Sequence, residues 1–424
     1  MGHRWSKGLR ARALVLVAGG SLALAACASS GSSSSSSGSA GSSGTAALGA
    51  CGTVPSVAPD DPDNVLQSTL SASALAQYNG YSDPIVPSAW AHWSNPVKPP
   101  WKIAFVINTL ANPFNAQQAA VIKTAMAAYQ KAGLVSKYTV LSTNNSATTE
   151  LQDMALVTQQ HYNGIILSAT SATGVIPAVN AAGAKGIPTV TFFSSVPDKY
   201  VVNEGPNTYL YGGSVAATVA RELHGKGNVL YVRGVPGLPF DTQTYDATQK
   251  VLSKCPGIHQ VGVVNGQWDP SVAKTQTLQF LATHPGKIDA VLDSGPGNQQ
   301  GVMQAFIQAG RPMPIVGDLG GMNATLSYWN QHLSTYHGAG SGIGPVPTGQ
   351  REAQMMMRVL LGQGPKLNAI LFNPPAITTA NLTQFLQPGS TMNSTTTANA
   401  PLSQILPDTY VNQLLNKPGP IQKP

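Results

Sequence analysis

From Lys102 onward the chain alternates two hydrophobic rhythms. Lys102–Ile107 is a short, nearly continuous apolar run. The segment 116–132 then places Ile122, Ala125, Met126 and Tyr129 on one face at helical spacing. Gly133 predicts the end of that helix. The alternation repeats: apolar runs near 138–142, 164–168, 188–193, 228–233, 259–264, 288–292 and 314–317 predict strands. Amphipathic stretches near 148–161, 173–184, 209–223, 241–253, 271–283, 298–309 and 347–361 predict helices. Strands that are apolar on both faces belong to a parallel sheet covered by helices on both sides. Repeated strand–helix units define an α/β architecture with right-handed crossovers. There are too many units for one ordinary sheet, so the expectation is two Rossmann-like lobes.

The ends of the chain follow other rules. Arg4, Lys7, Arg10 and Arg12 precede an apolar run, Ala13 to Ala26, that is short for a membrane span and ends in small residues, as secretory signals do. Leu24-Ala25-Ala26-Cys27 resembles a bacterial lipobox, which implies cleavage before Cys27 and a diacylglycerol on its thiol. Ser and Gly dominate from Ser29 to Ser43, as in a flexible tether. Residues 51–100 read as an irregular extension packed on the first lobe. Residues 386–424 read as a polar, Pro-rich tail with one helical piece near 408–416.

Composition excludes several function classes. Formal net charge is +7, with four of the basic residues in the leader, and no basic stripe is present. Nucleic acid is therefore not an expected partner. The eight histidines are scattered and the three cysteines lack zinc spacing, so no metal is expected. No Gly-x-Ser-x-Gly elbow occurs, and Gly338–Gly344 fits neither a dinucleotide fingerprint nor a phosphate loop. It reads as a loop and hinge. Neither an enzyme nor a cofactor is expected.

The run Asn108-Thr109-Leu110-Ala111-Asn112-Pro113-Phe114 resembles the first strand and loop of periplasmic sugar-binding proteins of the ribose/galactose type. The resemblance continues to about residue 383 through Gly164–Ser168, Ile187–Phe193, Gly234–Pro239, Trp268-Asp269 and Pro374–Thr378. It implies two lobes joined by three hinge crossings, with a ligand cleft between them. The crossings are placed near 203–207, 338–345 and 364–368. The implied organisation is a signal peptide (1–26), tether (27–50), extension (51–100), N-terminal lobe (101–205 and 340–366), C-terminal lobe (206–339 and 367–385) and tail (386–424). The implied function is an extracytoplasmic solute-binding lipoprotein of an ABC importer, monomeric, held at the membrane by lipid and docking on a permease.

A sugar offers hydroxyls at its rim and C–H faces above and below. Asn108, Asn112, Asn115 and Ser194 are candidate rim contacts. Phe114, Phe193 and Trp268 are candidate rings, with Phe114 and Trp268 expected from opposite lobes. The family's charged clamp is largely absent: its arginine aligns with Thr244 and an Asn-Asp becomes Gly295-Pro296. Asp241, Asp293 and Asp318 remain as candidate hydroxyl acceptors. A sugar or polyol leads. A less polar or aromatic ligand, or a ligand-sensing lipoprotein not coupled to uptake, stays open. A transcriptional regulator with the same ligand domain conflicts with the lipobox. With Cys27 lipidated, Cys51 and Cys255 form the expected disulfide, with Cys255 near the surface.

Overall fold

The computed structural model describes residues 48–421. The leader, most of the tether and Cys27 lie outside the described residues. The extension carries two short helices, α1 (Val65–Thr69) and α2 (Ala72–Leu75). The first lobe then runs β1 (Trp101–Ile107), α3 (Pro113–Lys131), β2 (Val135–Ser142), α4 (Ala147–Gln159), β3 (Gly164–Ser168), α5 (Ile176–Gly183), β4 (Thr189–Thr191) and β5 (Val201–Pro206). The second lobe continues with α6 (Thr208–Glu222), β6 (Lys226–Arg233), α7 (Pro239–Leu252), β7 (Gly257–Asn265), α8 (Pro270–Thr283) and β8 (Ala290–Asp293). It is completed by α9 (Asn298–Gln308), β9 (Ile315–Leu319), α10 (Asn323–Gln331) and β10 (Ala339–Ser341). The chain returns through α11 (Pro345–Leu360) and β11 (Ala369–Phe372), crosses again to β12 (Ala376–Ile377) and α12 (Leu382–Phe385), and ends in the tail with α13 (Asp408–Val411).

Each lobe is a six-stranded sheet. The orders are β11-β5-β4-β3-β1-β2 and β12-β10-β9-β8-β6-β7, with every pairing parallel except β10 with β12. The central strands β1, β3 and β8 are buried almost throughout, whereas the edge strands β2 and β7 are mostly half-buried or exposed. Helix α3 shows why the local sequence folds as it does. The Asn112 side chain accepts from the Phe114 N–H, Pro113 occupies the first turn, Lys131 sits in the last turn, and Gly133 follows at positive φ.

The lobe boundaries shift from the sequence reading: Gly340 and Ser341, read as first lobe, pair with β9 in the second sheet. Residues 367–372 were assigned to the second lobe, but β11 pairs in register with β5, Ala369 opposite Asn203 and Phe372 opposite Pro206. The third crossing therefore falls between Phe372 and Ala376, not near 364–368. Asn368 fixes this arrangement through its side chain, which accepts from Val86 N–H and donates to Pro84 O.

The two termini of the described chain each add another passage between lobes. Cys51 and Cys255 are joined in a disulfide (S–S 2.12 Å), and Val54 and Val57 pack on Tyr209, Leu210 and Ala247 of the second lobe. Cys255 is buried at 1% exposure rather than lying at the surface. Further on, Leu66, Tyr78, Tyr81 and Ile85 pack on Leu367, Ala369 and Leu371 of the first lobe. The extension thus touches both lobes, not only the first. The tail does the reverse. Thr397 bridges to Met322 in the second lobe, and Arg351 and Arg358 of α11 then hold Ile405 O and Asp408 against the first. The helical piece expected near 408–416 is α13 with a tight turn after it.

Candidate functional site

The strands of both sheets deliver their carboxyl ends to one cleft, where ligands of open α/β sheets sit. From the first lobe, β1 leads to Asn108, β3 ends at Ser168, and β4 leads to Phe192, Phe193 and Ser194. From the second, β6 leads to Leu238 through Phe240, β7 to Trp268, β8 to Pro296 and β9 to Gly320. These residues surround a cavity of about 150 Å³. Asn112, Phe114, Asn115, Gln118, Tyr211, Ile343 and Glu352 complete much of the wall.

Aromatic rings run across the cleft in a continuous series. Phe114 meets Phe193 edge to face at 5.5 Å between centroids, and Phe193 meets Phe240 of the other lobe at 5.6 Å. Phe240 continues to Trp268 at 6.2 Å and Tyr211 at 6.0 Å. Edge-to-face contacts suit the ring quadrupole. Phe114 and Trp268 both line the cavity, and they stand on opposite lobes.

Trp268 owes its position to its neighbours' lack of side chains. A Cβ at Gly234 would collide with the indole, and one at Gly295, which has φ +148°, would come within 2.8 Å of its Nε1. Trp268 itself adopts φ +55°, an uncommon conformation for a large side chain. It is held there by Asn298 Oδ1, which accepts from its N–H at 3.0 Å, and by Ser294 O, which accepts from Nε1 at 3.2 Å.

The polar residues on the first-lobe wall are tied to one another yet keep atoms free. Asn108 Oδ1 accepts from Asn115 Nδ2 (2.9 Å) and from Ser168 Oγ (3.2 Å). Gln118 Nε2 donates to Glu352 Oε2 at 2.5 Å. Burial pushes the Glu352 carboxyl up to about 8, opposed by the Gln118 hydrogen bond.

The three acidic candidates are not brought to the cavity. Asp241 is fully buried, accepting from Arg233 Nε at 2.8 Å and from Gly234 N–H at 2.7 Å. Asp293 accepts from Gly295 N–H and Gln299 Nε2, both at 3.1 Å. Burial and the neighbouring Asp318 hold its carboxyl well above the usual range. Asp318 accepts from the N–H groups of Gly321 and Met322 and from Thr325 Oγ1, yet burial still raises it to about 7. Strand-end carboxylates here organise loops beneath the cleft. Most of their oxygens are engaged by loop amides and by Arg233, Gln299 and Thr325, and Asp293 Oδ2, which has no partner among the described residues, is buried away from the cavity lining.

The sequence reading missed Gln118, Tyr211, Phe240 and Glu352. Gln118 follows Asn115 by three residues on one helical face, a spacing that marks a shared surface. Phe240 follows Pro239 at the start of α7, just after the recognised loop. Glu352 carried no signal, since a glutamate in a helix ordinarily faces solvent. Among the described residues no helix is long and apolar enough to cross a membrane.

Two parallel-sheet lobes around an aromatic, amide-lined cleft define a solute-binding protein of the two-lobed class. Residues 103–364 match the model of the periplasmic binding protein domain, and this chain belongs to that family. It is similar to the xylitol-binding protein of Mycolicibacterium smegmatis, 28% identical over 192 residues, which cover 44% of this chain and 55% of that relative. It is also similar to the ribose import binding protein RbsB of Bacillus subtilis, 24% identical over 250 residues, covering 58% and 79%. A crystal structure of an ABC transporter solute binding protein from Thermobispora bispora shares the fold, with a TM-score of 0.65 and 24% identity over 76% of this chain and 98% of that one.

Proposed function

We propose that this chain is the capture component of an ABC importer for a sugar or related polyol, working outside the cytoplasmic membrane and anchored there by lipid on Cys27. The observation that carries the reading is the cleft: amides and hydroxyls concentrated on the first-lobe wall and rings on both walls, at the carboxyl ends of both sheets. Amides hydrogen-bond sugar hydroxyls without demanding charge, and rings cover C–H faces. Closure around a ligand places it between the lobes, and only the ligand's preference for the closed state drives that closure. The closed form is then the one that docks on the permease. Relatives named for xylitol binding and ribose import point the same way.

The test is a thermal-shift and calorimetric panel of pentoses, hexoses, polyols, nucleosides and aromatic acids. Stabilisation by sugars or polyols is expected. A response to aromatic acids alone would reassign the ligand and keep the binding role. For the anchor, Cys27→Ser is expected to move the protein from the membrane fraction to the medium or periplasm. An unchanged membrane fraction would remove the lipid from the account.

A further inference from the structure

The two walls of the cleft differ in what they leave free. On the first lobe, Asn108 Nδ2, Asn112 Nδ2, Asn115 Oδ1, Gln118 Oε1, Glu352 Oε1 and Ser194 Oγ make no hydrogen bond among the described residues. All belong to residues lining the cavity. On the second lobe, the lining side chains that can hydrogen-bond are Tyr211 and Trp268. The Tyr211 hydroxyl donates to Ser341 O at 3.3 Å, and the Trp268 N–H donates to Ser294 O. Each has one proton, so the second lobe offers no free side-chain donor. Leu238, Pro239, Phe240 and Pro296 make up most of the remainder of that wall. No Lys, Arg or His lines the cavity, and its one lining carboxyl is Glu352.

We propose that the cleft selects an uncharged, pentose- to hexose-sized polyol with one apolar end, a deoxy or O-methyl sugar, its hydroxyls on the first lobe and its apolar end against Phe240 and Trp268. This rests on the reading of the chain as a sugar- or polyol-binding protein. Size follows from the cavity of about 150 Å³, the scale of a cavity that admits a single six-membered ring. A hydroxyl pressed on the side chains of the second-lobe wall loses water and finds no free side-chain donor among them. A methyl in the same place loses nothing and covers the rings. Sugar acids and phosphates are disfavoured because nothing cationic faces them.

The experiment is titration calorimetry with matched pairs: L-rhamnose and L-mannose, L-fucose and L-galactose, D-xylose and its methyl glycosides. Xylitol, D-ribose, D-glucuronate and glucose 6-phosphate complete the set. In the pair whose stereochemistry fits, the deoxy or methylated member is expected to bind at least tenfold tighter, with the charged sugars silent. Equal or tighter binding of the fully hydroxylated member in every pair that binds, or best binding by a charged sugar, overturns the proposal. Binding of xylitol or ribose with no preference for the apolar members overturns it while leaving the sugar-binding reading intact. Silence from every sugar and polyol overturns both. Two variants locate the effect. Phe240→Asn, which puts an amide on the second wall, is expected to shrink the preference about tenfold. Asn115→Ala is expected to weaken both members of a pair alike. An undiminished preference in Phe240→Asn would also overturn the proposal.

Discussion

Trp268 rests on ground cleared by Gly234 and Gly295, half-buried and lining the cavity. A ring so placed contributes more to a ligand than to the fold. Trp268→Ala is expected to weaken ligand binding at least tenfold and to cost about 2 kcal/mol of stability, less than the full loss of a buried Trp. Calorimetry and urea melts on one preparation separate the two effects. Unchanged affinity in a protein that has lost several kcal/mol would make Trp268 a packing residue. Glu352 makes a different prediction. Its carboxyl is 1% exposed and raised from 4.5 to about 8. The native state therefore keeps a proton that the unfolded chain has already lost. Stability from this group is present below about pH 4.5 and is lost as pH rises toward 8. Asp318, raised to about 7, acts in the same direction over the lower part of that range. Urea melts are expected to show stability falling from pH 5 to pH 9, with a shallower fall in Glu352→Gln. Parallel lines for the two proteins would contradict this.

At the scale of elements, long apolar strands and amphipathic helices were readable because burial leaves a pattern over many residues. The pieces that escaped have little pattern to leave. Strand β5 reads Val-Val-Asn-Glu-Gly-Pro, and its polar Asn203 is buried because it accepts from Val196 N–H and donates to Val196 O. Strand β10 is Ala-Gly-Ser, three small residues whose pairing with β9 is purely backbone. Helix α10 begins without a side-chain cap, so nothing announces it. The assignment of β11 failed for a related reason: four apolar residues suit either sheet, and the partner is chosen by β5 and the extension. At the cleft, the loop after β1 was legible through its resemblance to the family's first strand and loop, and Asn108, Asn112, Phe114 and Asn115 line the cavity. The acidic trio misled because sequence records a carboxylate but not the loop amides that turn to meet it.

For the whole molecule, the extension and the tail change what joins the lobes. Residues 48–57 are bound covalently to the second lobe through Cys255, and the chain from Leu66 onward packs on the first. The disulfide closes a loop across a sequence separation of 204 residues. In the chain-entropy model such a closure stabilises by up to roughly 5 kcal/mol. The Cys51→Ser, Cys255→Ser double variant is expected to unfold at distinctly lower urea concentration, and the unreduced wild-type soluble chain lacking Cys27 should titrate with no free thiol. Two thiols per chain, or identical melts, would count against the bridge.

The added passages lie against the hinge itself. Asn207, at the first crossing, donates to Gln77 O and Asn79 O of the extension, and Asn373, at the third, donates its N–H to Gln77 Oε1. At the second crossing, Ile343 O accepts from Ala400 N–H and Asn399 Oδ1 from Val346 N–H. A joint of three slender strands can bend, twist and slide. One wrapped by two further passages, each bonded to the strands beside it, keeps a bending axis while twist and slide become stiff. Such a protein searches fewer relative orientations before its two walls meet, so less orientational entropy is left to lose when they close on a ligand.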